Sequence, residues 1–429
     1  MKWIQWQRWL RVLGLLSVSA GSVLAQQPVG QQRGRMKDVL RNVSQEIRKS
    51  FYDPGMRGLD WEGLTNEARA KIDKAQSTSD MLTAIFALVD KLQDSHTVFL
   101  PPDRPVKVLF GFEAQAFGEE VRISHLKEGG RADRAGLLPG DRILSINGYG
   151  VDRASIDLAM LFWRVLRPVA VMEIDFVRGT DSPRKVRVEA EVKQKALITD
   201  LTSVETVYAL VREAERQKET FLYNVDADGI AYLGLPSFSV DPDFLGRVVG
   251  KVKRSRATVV DLRGNLGGAR DSVVHFTGYF SDKPDTIAEV VGRSKTEPLA
   301  VKPRQPRLTG PLVVLVDSQS ASASEVFARH VQRTGRGVVI GDRTAGRATL
   351  AQFVSMSHGV DTVMFYGVEV AVGRIVFPGN EELEGRGVTP NGNCVPTSED
   401  QREGRDPCLE LAMSEARKAL TQSEASGKP

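Results

Sequence analysis

The sequence predicts an α/β protein: a layered core of strands and helices, preceded by a small β-rich module and, before that, a helical N-terminal region. Three observations carry the prediction. Apolar, β-branched runs at Gly229–Leu235, Thr258–Leu262 and Leu312–Val316 alternate with helical segments such as Glu325–Arg333, and such alternation stacks helices on a sheet. Residues 106–192 are built instead of short β-type runs broken by turn signals. Before residue 100 the apolar residues recur at helical spacing.

Length and composition bound the reading. A chain of 429 residues suggests two to three domains at roughly 100–200 residues each. Hydrophobic residues make up 41% and charged residues 26%, as in ordinary globular proteins. The net charge of +4 lacks the strong basic excess on which nucleic-acid binding rests, so no nucleic-acid partner is expected.

Taken in order, the chain opens with Lys2, Arg8 and Arg11, a short apolar stretch over Val12–Val18, and Val23-Leu24-Ala25. A positive leader, an apolar centre and a small-x-Ala end read as a secretory signal peptide over residues 1–25. The product is then exported, to a periplasm or beyond the cell. The apolar run is far shorter than the ~20 residues that span a bilayer, and no second run follows, so no stable membrane span is expected after its removal.

Residues 36–100 form the helical region. Val39, Leu40, Val43 and Ile47 share one helix face, as do Met81, Ile85, Leu88, Val89 and Leu92, and Asp53-Pro54-Gly55 breaks the first helix. In the β-rich module, 106–192, strands are expected at Val121–Ile123, Ile143–Ile146 and Val171–Val177. A short helix over Arg131–Leu137 ends in glycine, and Asn147-Gly148 marks a hairpin. The mixed core, 193–415, starts with a helix over Val204–Glu219 and ends with one over Leu409–Leu420. Ser423–Pro429 reads as a disordered tail. The only cysteines, Cys394 and Cys408, lie close together in a polar stretch. In an exported protein they read as a disulfide. The five histidines are scattered, and neither metal nor other cofactor is expected.

Three places suit chemistry. The strand Leu312–Val316 runs through Ser318, Ser320, Ser322 and Ser324 into a helix. A hydroxyl at that corner meets free N–H groups and the positive helix end, which favour developing negative charge. The same residues, Ser322 with Glu325, also make a capping box, and the three alternating serines leave the nucleophile open among Ser320, Ser322 and Ser324. A second strand ends in Asp261-Leu262-Arg263-Gly264-Asn265-Leu266-Gly267-Gly268, a turn that exposes backbone N–H groups as an oxyanion hole needs. The third is Asp94-Ser95-His96-Thr97.

Taken together in this order, with Thr344-Ala345-Gly346-Arg347 and Glu384-Gly385-Arg386-Gly387-Val388-Thr389-Pro390 downstream, the motifs resemble the tail-specific, or C-terminal processing, peptidases of the S41 family. The resemblance implies a ClpP/crotonase-like α/β catalytic core with an inserted PDZ-like domain, acting as a serine endopeptidase on a protein or peptide substrate. It implies Ser322 as nucleophile and the N–H groups of Gly268 (or its neighbour Gly267) and Ala323 as oxyanion donors. Many members carry a lysine base where this chain has Arg347. Arginine stays protonated and cannot serve as that base, so Arg347 is left to bind a substrate carboxylate or to form a structural ion pair. Members similar to the tricorn core peptidases use a Ser-His pair with a distant Glu. Ser95 and His96 match, with Glu384 the candidate acid and Glu381 and Glu382 its rivals.

The run Arg131–Gly148 is similar to the PDZ pattern A-x-x-A-G-L-x-x-G-D-x-I-L-x-I-N-G, and Leu109-Phe110-Gly111-Phe112 resembles the PDZ loop that cups a peptide carboxylate. Leu109, Gly111 and Phe112 are the expected cup, reading substrate C-termini. The rival readings are an inactive peptide-binding scaffold and an apolar-ligand carrier of similar fold. Oligomeric state is not readable from the sequence.

Overall fold

The computed structural model describes residues 29–194, 221–359 and 363–425. The expected signal peptide and the expected helix over Val204–Glu219 lie outside the described residues.

Three helices come first: α1 (Val29–Ser50), α2 (Trp61–Lys74) and α3 (Thr78–Asp90). Val39, Leu40, Val43 and Ile47 of α1 are fully buried. Asp60 caps α2 by accepting from the Gly63 N–H, and Ser77 caps α3 by accepting from the Asp80 N–H. Asp53-Pro54-Gly55 does end the first helical stretch; the chain then makes a short 3-10 turn over Met56–Gly58. The helices close over Tyr366, Val368 and Val370, residues of a strand far along the chain.

The connection is made by β1 (Val98–Leu100). The β-rich module then contains β2 (Val106–Leu109), β3 (Phe112–Phe117), β4 (Glu120–Leu126), the helical turn α4 (Arg131–Arg134), β5 (Arg142–Ile146) and β6 (Tyr149–Gly150). It continues with α5 (Ile156–Leu161), β7 (Val171–Val177), β8 (Arg184–Glu189) and β9 (Glu191–Gln194). Its sheet runs β3-β4-β5-β7-β8, with β6 hairpinned onto β5, while β2 pairs with β9. Asn147 and Gly148 take φ of 51° and 78°, the left-handed pair that a two-residue hairpin matched to strand twist requires. Among the described residues β3 ends the sheet, and one of its edges is unpaired by strands.

The core strands are β10 (Leu222–Val225), β11 (Ile230–Gly234), β12 (Ala257–Asp261), β13 (Asp285–Gly292), β14 (Thr296–Val301), β15 (Leu312–Val316), β16 (Val338–Gly341), β17 (Thr349–His358), β18 (Met364–Val376) and β19 (Gly392–Asn393). One sheet has the order β10-β11-β12-β15-β16-β19, parallel from β11 onward. Every residue of β12 and β15 is buried, because helices cover both faces. On one side pack α6 (Pro242–Lys251), α7 (Arg270–Gly278) and α8 (Ala323–Thr334). Past α9 (Ser398–Glu403), α10 (Pro407–Ala425) covers the other through Cys408, Ala412, Ala416 and Leu420.

A second, antiparallel sheet, β1-β18-β13-β14 with β17 on β18, was not anticipated. It ties the N-terminal region to the core, with Val98 opposite Glu369 and Phe99 opposite Val368. The chain end differs too. Ser423, Glu424 and Ala425, read as disordered tail, continue α10, where Arg256 pairs with Glu424 and Leu420 is buried. Cys394 and Cys408 are joined as a disulfide that links the end of β19 to the start of α10. Among the described residues no helix is long and apolar enough to cross a membrane.

Phe327 of α8 is fully buried between Phe276 and Phe280, with ring centroids 5.1 and 5.6 Å away. Phe327→Ala should therefore cost ~4 kcal/mol of stability, read from the denaturant midpoint of the unfolding transition. An unchanged midpoint would mean that this core layer is not built as described.

Candidate active site

The three alternating serines do different things. Ser320 and Ser324 are fully buried. The Ser320 hydroxyl donates to the Leu262 carbonyl at 2.8 Å and that of Ser324 to the Asn265 carbonyl at 3.0 Å. Both fasten the serine corner to the neighbouring glycine turn. Ser322, between them, is half-buried and lines a cavity of about 780 Å³. Its backbone sits at φ 54°, ψ −114°, a region that costs a non-glycine residue on the order of 1–3 kcal/mol and persists only when surrounding bonds hold it.

Those bonds centre on Glu325. The Ser322 N–H donates to the Arg347 carbonyl at 2.7 Å and to Glu325 Oε2 at 3.0 Å. Glu325 Oε2 also accepts from the Arg347 N–H, and Oε1 accepts from the Gly346 N–H and the Thr344 hydroxyl. The capping contact from Glu325 back to the Ser322 backbone is therefore present, but it is one of four. Burial pushes the Glu325 pKa up and the four donors pull it down. Burial prevails, so the pKa stands above the ordinary carboxylate value even with four donors facing the two oxygens.

The glycine turn lies against the serine corner. Fully buried Asn265 donates through its side chain to the Leu235 carbonyl and accepts from the Gly267 N–H at 2.8 Å. Gly267 has thus committed its N–H within the turn. Gly268, at φ 144°, lines the cavity beside Ala323. A Cβ on Gly268 would fall 2.2 Å from the backbone of Phe238 and Ser239, so only glycine fits.

His96 lines the same cavity. The Ser95 hydroxyl donates to Glu384 Oε2 at 2.9 Å and lies 2.9 Å from His96 Nδ1. Glu384 also accepts from the Ser95 N–H at 3.1 Å and the Ala348 N–H at 2.9 Å. A hydroxyl has one proton. With it directed to Glu384, Ser95 accepts from His96 Nδ1–H, which leaves Nε2 unprotonated in the neutral ring. The rival acids are engaged elsewhere, Glu381 with Arg329 and Glu382 with Arg374. Burial holds the His96 pKa below its ordinary value against the pull of Glu369 and Glu384, with Arg347 adding to the depression. Glu369 escaped the sequence reading. Its signal was a lone acid in the apolar run Gly367-Val368-Glu369-Val370-Ala371, and it lines the same cavity as His96.

Arg347 turns away from the cavity chemistry. Its guanidinium pairs with Asp157 of α5 at 2.6 Å, the structural ion pair of the two readings left open. Further contacts fix the β-rich module to the core. Arg153 binds Asp342 at 2.9 Å, Gln115 donates to Asp317 at 3.3 Å, and the Ser318 hydroxyl donates to the Ala116 carbonyl at 2.5 Å. Leu109 ends β2, Gly111 takes φ 78° and Phe112 begins β3, so the three expected cup residues lie together at the head of the open edge. There Arg164 donates to the Phe112 carbonyl at 2.6 Å and stacks over its ring.

Comparison with known proteins follows this layout. The family model for peptidase family S41 matches residues 229–393, a PDZ domain model matches 104–169, and a model of the tricorn protease C1 domain matches 37–86. The chain is 23% identical over 379 residues to carboxyl-terminal-processing peptidase 1 (chloroplastic) of Arabidopsis thaliana, covering 82% of this chain and 70% of that protein. It is 30% identical over 285 residues to the tail-specific protease of Haemophilus influenzae, covering 62% and 39%. Mature CPAF complexed with lactacystin has the same fold, with a TM-score of 0.64 at 14% identity over 92% of this chain and 99% of that one. The photosystem II D1 C-terminal processing protease aligns at 0.50 and 18% identity over 84% and 93%.

Glu325→Gln replaces an acceptor oxygen by a donor facing donors. It should cost ~3 kcal/mol and slow covalent labelling of Ser322 by a serine-directed phosphonate. Labelling at the parent rate would show that the serine corner does not depend on this carboxylate.

Proposed function

The chain belongs to peptidase family S41, as a serine-type peptidase with a PDZ domain, and on that premise we propose that Ser322 is its nucleophile and His96 its general base. The observation that carries the assignment is the chain Glu384–Ser95–His96 ending at the cavity that Ser322 also lines.

In this reading the neutral His96 Nε2 takes the proton of Ser322 Oγ as the oxygen attacks the substrate carbonyl carbon. The carbonyl oxygen becomes an oxyanion held by the N–H groups of Gly268 and Ala323, the second at the first turn of α8, where the helix dipole favours negative charge. The imidazolium is stabilised by Glu384 through Ser95. It returns the proton to the leaving amine as the C–N bond breaks, and the acyl-enzyme is opened by water through the same base. Arg347 takes no part in the proton transfer. It holds Asp157 with its side chain and Ser322 with its carbonyl.

The substrates we propose are exported proteins chosen by their C-terminal residues. A peptide would add as a strand to the open edge of β3, with its carboxylate at Leu109, Gly111 and Phe112. The leader over residues 1–25 and the Cys394–Cys408 disulfide support an oxidising compartment outside the cytosol.

Ser322→Ala and His96→Ala should each lower peptide hydrolysis by roughly four orders of magnitude without changing the unfolding midpoint. Either variant cleaving at the parent rate removes the assignment. Neutral His96 is the active form and its pKa is depressed, so the acid limb of kcat/KM should fall below the ordinary histidine value of about 6.5. Glu369→Gln removes a charge that favours the imidazolium and should move that limb lower still. Amidating a substrate's C-terminus should raise KM, and an unchanged KM would reject carboxylate selection.

A further inference from the structure

The base is held from behind by residues outside the proposed relay. Arg57 sits in the 3-10 turn at φ 55°, ψ 31°, next to Met56 at φ 49°, so two successive non-glycine residues adopt left-handed backbone. The side chain of Asp53 makes that turn possible, accepting from the Gly55 and Arg57 N–H groups at 2.9 and 2.7 Å. The turn aims the Arg57 guanidinium at the end of α3. There it donates to the Leu92 carbonyl at 3.0 Å and the Gln93 carbonyl at 2.7 Å. It also donates to the Tyr52 hydroxyl at 2.8 Å and pairs with Asp94 at 3.3 Å. Gln93 is itself left-handed, at φ 49°.

Asp94 passes this grip to the residues that follow it. Its side chain is fully buried, and its Oδ1 accepts from the His96 N–H at 3.1 Å and the Thr97 hydroxyl at 3.0 Å. The Thr97 hydroxyl accepts from the Ala371 N–H at 3.1 Å, and the Ala371 carbonyl accepts from the Tyr52 N–H at 3.0 Å. A ring of bonds therefore runs Arg57, Asp94, Thr97, Ala371, Tyr52 and back to Arg57, with Ser95 and His96 projecting from it.

We infer that Arg57 and Asp94 are positioning residues of this peptidase, fixing the backbone at His96 so that Ser95 meets Glu384 and the imidazole faces the cavity. Neither reaches the cavity, and both act through His96, so the inference rests on His96 being the base. Electrostatics agrees with the geometry. Burial pushes the Asp94 pKa up and nearby Glu384 pushes it further, whereas Arg57 pulls it down.

The test uses the full mature chain and a fluorogenic peptide, with His96→Ala alongside. If His96→Ala hydrolyses the peptide like the parent, the base assignment itself fails. With His96→Ala inactive, Arg57→Ala should lower kcat by about 10²-fold with KM changed less than about twofold. Millimolar guanidinium ion should restore part of the loss. Parent kcat in Arg57→Ala, or a loss taken up by KM and not rescued, overturns the inference. Should Arg57→Ala fail to fold, the near-isosteric Asp94→Asn decides. It should lose kcat at constant KM, and parent kcat there overturns the inference.

Discussion

A single buried carboxylate holds the site together. Glu325 is fully inaccessible, and removing a charge from water costs several kcal/mol unless every lone pair finds a partner. Its four donors come from both sides of the serine corner: Ser322 on one, and Thr344, Gly346 and Arg347 on the other. The loop thus fixed continues outward. The Gly346 carbonyl accepts from the Gly385 N–H, Thr344 Oγ1 accepts from the Val388 N–H, and the Ala348 N–H donates to Glu384. The strained backbone of Ser322 and the carboxylate of Glu384 are thereby referred to one point. Gly387 lacks room for a Cβ because Thr344 approaches within 2.5 Å of where it would be, which is what such tight docking of two loops requires.

Much of this was legible in the chain because the signals were local. The β-branched runs became β11, β12 and β15, Asn147-Gly148 became a left-handed hairpin turn, and the S-x-x-E spacing located the contact between Glu325 and Ser322. Its reach was understated, since three of the four donors are absent from the motif or lie in another segment. The serine ambiguity could not be resolved locally either. What distinguishes Ser322 from Ser320 and Ser324 is that their hydroxyls meet carbonyls of a turn about sixty residues earlier. The second sheet was hidden for the same reason: β1 is three residues long and its partner is β18. Arg57 reads as an ordinary surface residue after a Pro-Gly break, and nothing in its neighbourhood announces the loop it clasps.

Arg347 joins two parts of the molecule. It cannot accept a proton, but its length and fork carry it to Asp157 on the PDZ helix α5, while its carbonyl and N–H remain part of the serine corner. One residue therefore touches both the PDZ domain and the backbone of Ser322. Asp317 repeats the arrangement from the other side. It accepts from Gln115 of β3 and from the N–H groups of Gly264 and Ser320, so β3 and the glycine turn share a half-buried acid.

The relay also has a consequence for timing. Ser95 and Glu384 are 289 residues apart. The length-dependent entropy of closing such a loop is about 5 kcal/mol, and no nascent chain contains both ends before the whole intervening segment has been made. The helical region, the second sheet and the 344–348 loop must already be in place before the hydroxyl of Ser95 has an acceptor. The Ser95–Glu384 contact is then a property of the finished tertiary structure alone, and an unfolded chain carries both groups without joining them.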